Sequence, residues 1–281
     1  MKDLTNENVI HIKNQGEEYL QFKKLLEYPQ IIHAYSLGIN KNYRTSTIEK
    51  KSLEKNKYEK AINDYKLLCE ELGINYTNIV KSNQEHTDNI KSVNKKINKD
   101  EPDFNLEEYS KTDALITDKK GYILSTTNAD CILMIFYDPV KNVIANVHSG
   151  WKGTVKRISI KTIEKMVKEY NSNVEDIICC ICPSIRKCHF EVESDVKDIF
   201  VKEFSDIEEI KSRNIIEEKI EKGKWYIDTV EINKVIMLKK GLKEENIIDS
   251  NICSVCESDL IHSYRVEKQG YGLNTLLITL K

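Results

Sequence analysis

The chain lacks the features that mark membrane, secreted and nucleic-acid-binding proteins. No apolar run approaches the length of a membrane span. Residues 1–22 are polar and of mixed charge, without the basic, apolar and small-residue zones of a signal peptide. A formal net charge of −2 in 281 residues gives no electrostatic footprint for nucleic acid. The sequence therefore predicts a cytoplasmic protein that binds neither membranes nor nucleic acid.

The chain also lacks an internal repeat, a linker and any break in composition that would divide it. Strand-like segments and amphipathic helix patterns are mixed without strict alternation, which favours an α+β fold over a doubly wound one. We therefore expect residues 1–281 to form a single layered domain of mixed β-sheet flanked by helices. The sequence leaves the oligomeric state open.

Eight cysteines are present, and in a cytoplasmic chain they are expected to be thiols or metal ligands rather than disulfides. Two pairs have C-x-x-C spacing, Cys179 with Cys182 and Cys253 with Cys256, and together they could form a structural Cys₄ zinc site. The first pair, however, lies in a strand-like run, where positions three apart face opposite sides. We therefore favour buried apolar thiols, which are the common state of cysteine.

The most informative segment is a β-hairpin pattern that joins Cys131 to His148. A β-branched and aromatic strand, a turn beginning at Asp138 and a second apolar strand separate the two residues. If Asp138 pairs with Lys141, Cys131 lies directly opposite His148, and opposed Cβ atoms are about 4.5–5.5 Å apart. A longer turn would shift the register by one or two residues and keep the two side chains close.

A sulfur and a nitrogen on adjacent strands supply half of a transition-metal site. A catalytic zinc ion usually has three protein ligands and one open position for water. His86 follows a strand-like segment in a polar loop, and it is the best candidate for the third ligand. A cysteine–histidine nucleophile dyad also fits Cys131 and His148, so the residues alone leave both alternatives open.

Two further segments suggest anion binding. The Gly150–Gly153 turn precedes a helix, and free amide groups at a helix N-terminus favour an anion such as phosphate. Arg265 ends a β-like turn, where it is either a surface residue or a bidentate ligand of phosphate or carboxylate. Each signal is weak by itself, because glycines before helices and arginines on surfaces are common.

The ordered set of motifs resembles the YfiH/YlmD-like family, once called multicopper polyphenol oxidases or laccase-domain proteins. The motifs cover roughly residues 31 to 280 in the family's order, which is far more specific than any single motif. They are Gln84-Glu85-His86, Thr112-Asp113-Ala114-Leu115-Ile116-Thr117, Ala129-Asp130-Cys131, His148-Ser149-Gly150-Trp151-Lys152-Gly153, Cys182-Pro183-Ser184-Ile185 with Phe190-Glu191-Val192, and Ser263-Tyr264-Arg265.

The resemblance implies a zinc-dependent purine nucleoside phosphorylase that acts on adenosine, inosine, guanosine and methylthioadenosine and has adenosine deaminase activity. It implies one Zn²⁺ ion held by His86, Cys131 and His148 with water in the open position, so that these three residues are catalytic. The partners would be a purine nucleoside and phosphate. The implied fold is one α+β domain, distantly like the catalytic domains of bacterial cytotoxic necrotizing factors.

Five further residues are candidates for binding and proton transfer in such an enzyme. Lys152 and Arg265 are expected to hold phosphate or substrate through their charge, and Ser184 to donate a hydrogen bond to substrate. Asp130 and Glu191 are the nearest candidates for a general acid or base.

Departures from the family pattern fall in the segments expected to bind substrate. Lys152 replaces the usual arginine, which keeps the charge but loses bidentate geometry. Ser36-Leu37-Gly38 stands where many relatives have S-T-R, so one anion-binding arginine is absent there. The other substitutions are Leu133, Ser149, Cys182 and Val266. The metal triad is complete, and phosphate recognition stays open.

Two alternatives to the phosphorylase are a peptidoglycan-precursor editing hydrolase of the same family, which removes misincorporated serine, and a zinc-stabilised purine-binding protein without turnover. A copper oxidase is disfavoured, because one His/Cys/His site cannot supply the several copper ions that such oxidation needs.

Overall fold

The computed structural model describes residues 2–45, 55–94, 102, 104, 107–219 and 223–281. Within these residues the chain forms fifteen β-strands and eight α-helices. The strands are β1 Val9–Asn14, β2 Glu17–Phe22, β3 Ile31–Ser36, β4 Ile79–Lys81, β5 Ile90–Ser92, β6 Ala114–Thr117, β7 Ile123–Asn128, β8 Ile132–Asp138, β9 Val143–Ser149, β10 Ile178–Ile181, β11 Glu191–Val192, β12 Ile216–Lys219, β13 Lys224–Ile227, β14 Ile247–Asp249 and β15 Asn274–Leu280. The helices are α1 Lys23–Leu26, α2 Lys55–Glu71, α3 Trp151–Val155, α4 Ile158–Tyr170, α5 Ser194–Glu203, α6 Glu208–Ser212, α7 Thr229–Lys240 and α8 Tyr264–Glu267.

Most strands of the described chain belong to two six-stranded sheets. The first sheet has the order β1-β2-β3-β15-β7-β4, and the second has the order β14-β10-β8-β9-β6-β5. Each sheet is mixed, because the β4–β7, β5–β6 and β10–β14 pairs are parallel whereas the other pairs are antiparallel. A small third sheet, β11-β13-β12, adjoins helices α5 to α7.

Apolar side chains of both large sheets fill the space between them. Leu124 and Leu276 of the first sheet share this core with Leu133 and Ile135 of the second. Helix α2 covers the outer face of the first sheet, and helices α4 and α7 cover the outer face of the second. Strands buried on both faces explain the nearly continuous apolar runs in the sequence. The predicted α+β class with flanking helices is confirmed, with two stacked mixed sheets in four layers.

The β8–β9 hairpin has a longer turn than the sequence suggested. Asp138 pairs with Val143, and its side chain closes the turn by accepting two backbone N–H groups at 2.8 and 3.0 Å. This register places Leu133 opposite His148. The direct pairing of Cys131 with His148 is therefore wrong by two residues, although the expectation that the longer turn keeps the two side chains close is confirmed.

The cysteines of strand β10 and its end are buried in two different cores. Cys179 packs among apolar side chains on the helix-covered face of the second sheet, whereas Cys182 packs between the two sheets. The predicted burial of these thiols is confirmed. They face opposite sides of the sheet, so they do not join Cys253 and Cys256 in a Cys₄ site.

The chain passes between the two large sheets several times at one end of the sandwich. Residues 82–89 connect β4 of the first sheet to β5 of the second, and residues 129–131 connect β7 to β8. Residues 250–273 return from β14 to β15. Strand β9 ends at the same edge of the sandwich, so polar side chains from separate parts of the sequence meet there. Of the helices described, none has the length and apolar character needed to cross a membrane.

Candidate active site

Three side chains with metal-binding atoms meet at this end of the sandwich. His86 lies in the β4–β5 connection, Cys131 lies just before β8, and His148 lies near the end of β9. Their ligand atoms are all within 4.8 Å of one another, and Nε2 of His86 is 3.7 Å from Sγ of Cys131. The two imidazole rings meet edge to face with centroids 5.0 Å apart. His148 is buried, Cys131 is half-buried and His86 is exposed, so the group opens toward solvent on one side.

Asp113 fixes the orientation of His148. Its fully buried carboxylate accepts a hydrogen bond from Nδ1 of His148 at 2.7 Å. A carboxylate accepts only, so Nδ1 carries a proton, and Nε2 is the atom that can bind a metal ion after losing any proton of its own. This carboxylate–histidine pairing is the usual support of a metal-binding imidazole.

The same carboxylate also shapes the turn that carries His86. It accepts the backbone N–H groups of Glu85, His86 and Thr87 at 3.3, 3.1 and 2.7 Å, and the Thr87 hydroxyl at 2.6 Å. His86 adopts a left-handed backbone conformation with φ +58°, which is uncommon for a residue other than glycine. Asp113 thus holds two of the three potential ligands.

The charges of the group favour the thiolate form of Cys131. Burial raises the pKa of the thiol, but hydrogen bonds and charge from His148 and His86 outweigh it and lower that pKa to about 6. Burial lowers the pKa of His148, but Asp113 and Cys131 raise it to about 9. Burial likewise raises the pKa of Asp113, and hydrogen bonds from His148 and Thr87 hold it below its usual range. Thiolate is the form of cysteine that binds metal ions.

Gly150 is required by the close packing of the triad. A Cβ atom at this position would lie 2.5 Å from Cδ2 of His86 and 3.1 Å from Sγ of Cys131. The first distance is shorter than real Cβ contacts, so any side chain would displace His86. The glycine is needed here for its lack of a side chain, since its φ of −67° is ordinary.

The triad borders a cavity of about 690 Å³. Positive side chains of Arg44, Lys81 and Arg265 line it, together with aromatic side chains of Trp151, Phe190, Tyr264 and Tyr271. A cavity of this size accommodates a small-molecule ligand. Four carboxylates, those of Asp130, Glu191, Glu193 and Asp195, also line it, so the cavity combines both signs of charge with aromatic rings and metal-binding atoms.

Residues 41–281 match the family model for multi-copper polyphenol oxidoreductase laccase. The chain belongs to this family. It is 37% identical over 153 residues to a purine nucleoside phosphorylase of Bacteroides thetaiotaomicron, which covers 54% of this chain and 55% of the relative. It is 32% identical over 170 residues to the purine nucleoside phosphorylase YlmD of Bacillus subtilis, covering 60% and 59%. Over 198 residues it is 28% identical to the adenosine deaminase RL5 of an unknown prokaryotic organism, covering 70% and 73%. The chain thus spans little more than half the length of the first two relatives.

Solved structures of this family share the fold. Bacillus licheniformis YfiH superimposes with a TM-score of 0.77 at 23% identity, over 94% of this chain and 96% of that one. YlmD from Geobacillus stearothermophilus gives a TM-score of 0.76 at 19% identity over the full length of both chains. The predicted membership of the YfiH/YlmD-like family is confirmed.

Two family motifs have structural roles that the sequence did not show. The side chain of Gln84 pairs with the backbone of Thr127, accepting its N–H at 2.8 Å and donating to its carbonyl at 2.7 Å, so it holds the His86 loop against β7. Asp130 has φ +84°, and its carboxylate accepts the Ser254 hydroxyl and the Arg265 backbone N–H, both at 2.6 Å. This residue lines the cavity, but both of its oxygens are engaged.

The structure places the other predicted binding residues in different surroundings. Arg265 lines the cavity, and its guanidinium donates to the backbone carbonyls of His189 and Glu191 at 2.9 and 3.3 Å. Lys152 is exposed outside the cavity lining, with its ammonium group 5.5 Å from the centroid of the Trp151 ring. Ser184 is fully buried, also outside the lining, and its hydroxyl has no hydrogen-bond partner among the described residues.

The remaining cavity residues include the predicted Glu191 and two cations that the sequence did not indicate, Arg44 and Lys81. Glu191 lines the cavity and pairs with the Lys224 ammonium at 2.9 Å. Arg44 and Lys81 also reach the cavity, although neither lies in one of the family motifs named above. Arg44 donates to the Tyr271 carbonyl at 2.9 Å, with its guanidinium 4.3 Å from the centroid of that ring. The signal for Lys81 in the sequence was its position directly after two apolar strand residues, Ile79 and Val80.

Proposed function

We propose that this chain is a zinc-dependent purine nucleoside phosphorylase that also deaminates adenosine. The convergence of His86, Cys131 and His148 on the edge of a cavity that Arg44 and Arg265 also line supports this most strongly. The names of the relatives, purine nucleoside phosphorylase and adenosine deaminase, agree with it.

The donor set of the triad fits a zinc ion. Two imidazoles and one thiolate are three of the ligands that zinc prefers, and three protein ligands leave a position open for catalysis. The buried hydrogen bond that Nδ1 of His148 donates to Asp113 leaves Nε2 of His148 available, and Gly150 leaves the space beside His86 and Cys131 clear. Zinc held there would supply Lewis acidity, which makes water a usable nucleophile at neutral pH.

The cations of the cavity are the chain's own contribution to phosphate binding. Arg44 and Arg265 carry charge at every physiological pH, and their planar groups suit phosphate oxygens. Both guanidinium groups donate hydrogen bonds to backbone carbonyls, which restricts the two side chains before a ligand binds. This restriction reduces the conformational entropy that is lost on binding. We therefore assign phosphate recognition to Arg44 together with Arg265. Lys152 lies outside the cavity lining, so we do not assign it a role in phosphate binding.

The aromatic rings of the lining are suited to the purine base. Phe190 and Tyr271 present flat apolar surface, and the triad provides the polar end of the same cavity. In phosphorolysis a phosphate oxygen bonds to C1′ of the ribose while the bond from C1′ to the purine nitrogen breaks. In deamination a water oxygen replaces the amino group at C6, and ammonia leaves.

Product analysis with adenosine tests the proposal. With phosphate we expect adenine and ribose 1-phosphate, and without phosphate we expect inosine and ammonia. Cys131→Ala should abolish both activities and the zinc bound at the triad. Full activity with that zinc retained would refute the assignment.

Two charge variants separate phosphate binding from metal binding. Arg44→Ala should raise the KM for phosphate by about 10- to 100-fold, the value of one or two hydrogen bonds to a charged group, while the zinc content stays unchanged. Lys152→Ala should leave that KM unchanged. Tight purine binding without turnover would favour a binding protein, and hydrolysis of a peptidoglycan precursor carrying L-serine would favour the editing hydrolase.

A further inference from the structure

A second cluster of metal-binding side chains lies behind one wall of the cavity. Cys188 and His189 belong to the turn between β10 and β11, and Cys253 and Cys256 belong to the turn after β14. Their ligand atoms all lie within 4.8 Å of one another. Cys253 is buried, His189 is half-buried, and Cys188 and Cys256 are exposed. None of these four residues belongs to the triad.

Three of the four distances among these atoms match those of ligands around a common ion, and the distance between the adjacent residues Cys188 and His189 is shorter. Sγ of Cys188 is 3.6 Å from Sγ of Cys253, and Nδ1 of His189 is 3.1, 3.6 and 3.6 Å from Sγ of Cys188, Cys253 and Cys256. Bonds of about 2.3 Å to sulfur and 2.0–2.1 Å to nitrogen in a tetrahedron place the ligand atoms about 3.5–3.8 Å apart. A disulfide would need sulfur atoms about 2.05 Å apart.

The backbone around Cys253 favours its thiolate form. Burial raises the pKa of this thiol, but the backbone N–H groups of Cys256, Arg186 and Val255 outweigh it and hold that pKa below its usual range. Two of these N–H groups belong to the Cys-x-x-Cys turn itself. Amide donors of this kind stabilise a sulfur that carries negative charge, as a metal-bound thiolate does.

We propose that Cys188, His189, Cys253 and Cys256 form a structural Cys₃His zinc site. Three thiolates and one imidazole are a common donor set for structural zinc, and four protein ligands leave no position open for a substrate. The site would join two turns that are far apart in the sequence, much as a disulfide would, but in a chain whose cysteines are free thiols.

Both turns support the wall of the cavity. The carbonyl of His189 accepts a hydrogen bond from the guanidinium of Arg265 at 2.9 Å. Ser254, which lies between the two cysteines of the second turn, donates its hydroxyl to Asp130, the residue before Cys131. The second site therefore positions Arg265 and Asp130 without touching the substrate.

Metal analysis of the full chain, purified under reducing conditions, tests this site. We expect about two zinc ions per chain in the wild type and about one in each of Cys131→Ala, Cys188→Ser and Cys256→Ser. The double variant Cys131→Ala/Cys256→Ser should bind none. Because Cys131→Ala removes only the triad's ion, the failure of either proposal is distinguishable from the failure of the other.

Cobalt substitution identifies the ligands of the second site. Co²⁺ added to metal-free Cys131→Ala should give the strong visible and near-ultraviolet absorption of a tetrahedral thiolate site, and Cys188→Ser and Cys256→Ser in that background should weaken it. Absence of metal from Cys131→Ala would overturn the proposal. A disulfide between Cys188 and Cys253, seen by mass spectrometry after alkylation without reduction, would also overturn it. If one serine variant fails to fold, the cobalt spectrum of Cys131→Ala alone decides.

Discussion

Replacing Asp113 with asparagine should weaken zinc binding at the proposed metal site while leaving the three candidate ligands in place. One carboxylate oxygen accepts from His148 and from the His86 amide, and the other accepts from Glu85 and from both donors of Thr87. An asparagine side chain keeps one acceptor oxygen and turns the other atom into a donor. In either orientation of the side chain, the NH₂ group faces at least two N–H groups, from which it cannot accept hydrogen bonds.

The magnitude follows from these buried contacts. Loss of one hydrogen bond to a charged acceptor costs about 1.5–3 kcal/mol in the free energy of unfolding. If the NH₂ group of the asparagine takes the place of the oxygen that faces His148, the imidazole loses its hydrogen-bond acceptor. Loss of such a partner weakens metal binding by about 10- to 100-fold. We therefore expect Asp113→Asn to raise the Kd for zinc at the triad by that factor and to destabilise the metal-free protein.

Competition with a chromophoric chelator measures the Kd, and urea denaturation of the metal-free protein measures the stability. Asp88→Asn is the matched control, because Asp88 lies in the same connection but its ion pairs with Lys156 and Lys161 are partly exposed. Exposed pairs contribute about 0–1 kcal/mol, so this control should change neither quantity much. An unchanged zinc Kd in folded Asp113→Asn would refute the assigned role of the carboxylate.

Three further outcomes are expected. Gly150→Ala should raise the zinc Kd about tenfold or more in the same chelator assay, since the new methyl group would displace His86. An unchanged Kd would contradict the close contact between residue 150 and His86. In the metal-free protein, the rate at which iodoacetamide alkylates Cys131 should fall to half of its plateau value only near pH 6, because the lowered pKa keeps most of the thiol ionised above that pH. His148→Ala should move the midpoint of this pH dependence up toward about pH 8.5, the value of a free cysteine. Residue-resolved mass spectrometry measures the alkylation of Cys131, and an unchanged midpoint would contradict the role of the imidazole. Asn128→Ala should lower the free energy of unfolding by about 1–3 kcal/mol, because its amide donates to two carbonyl groups at 2.6 and 3.1 Å; a urea midpoint equal to wild type would exclude this role.

Local patterns in the sequence were enough to locate most of the triad. The β-branched runs on either side of the Asp138 turn identified strands β8 and β9, and a hairpin brings its two ends together whatever its exact register. The register itself depends on how the Asp138 side chain closes the turn, which a count of residues does not show. His86 followed from its place after a strand in a polar loop, together with the resemblance to the family.

Features that depend on contacts between distant segments could not be predicted in this way. The role of Asp113 arises because the start of β6 lies beside the β4–β5 connection, and Arg44 reaches the cavity through its contact with Tyr271. The second cysteine cluster combines adjacent residues, Cys188 and His189, with a turn that lies 64 residues further along the chain. The sequence shows the spacing within each of these two segments. That the two segments lie side by side follows only from the folded arrangement of the sheets.

The position of the triad at the sheet connections has a consequence for the survival of the protein. His86 and Cys131 both lie where the chain passes from the first sheet to the second, so the three ligands meet only when both sheets are assembled. A metal ion bound there is bound by the folded state alone, and free zinc at a thousand times its Kd adds about 4.1 kcal/mol to the free energy of unfolding. The abundance of this protein in a cell would then follow the supply of zinc, through the fraction of chains that stay folded and escape proteolysis.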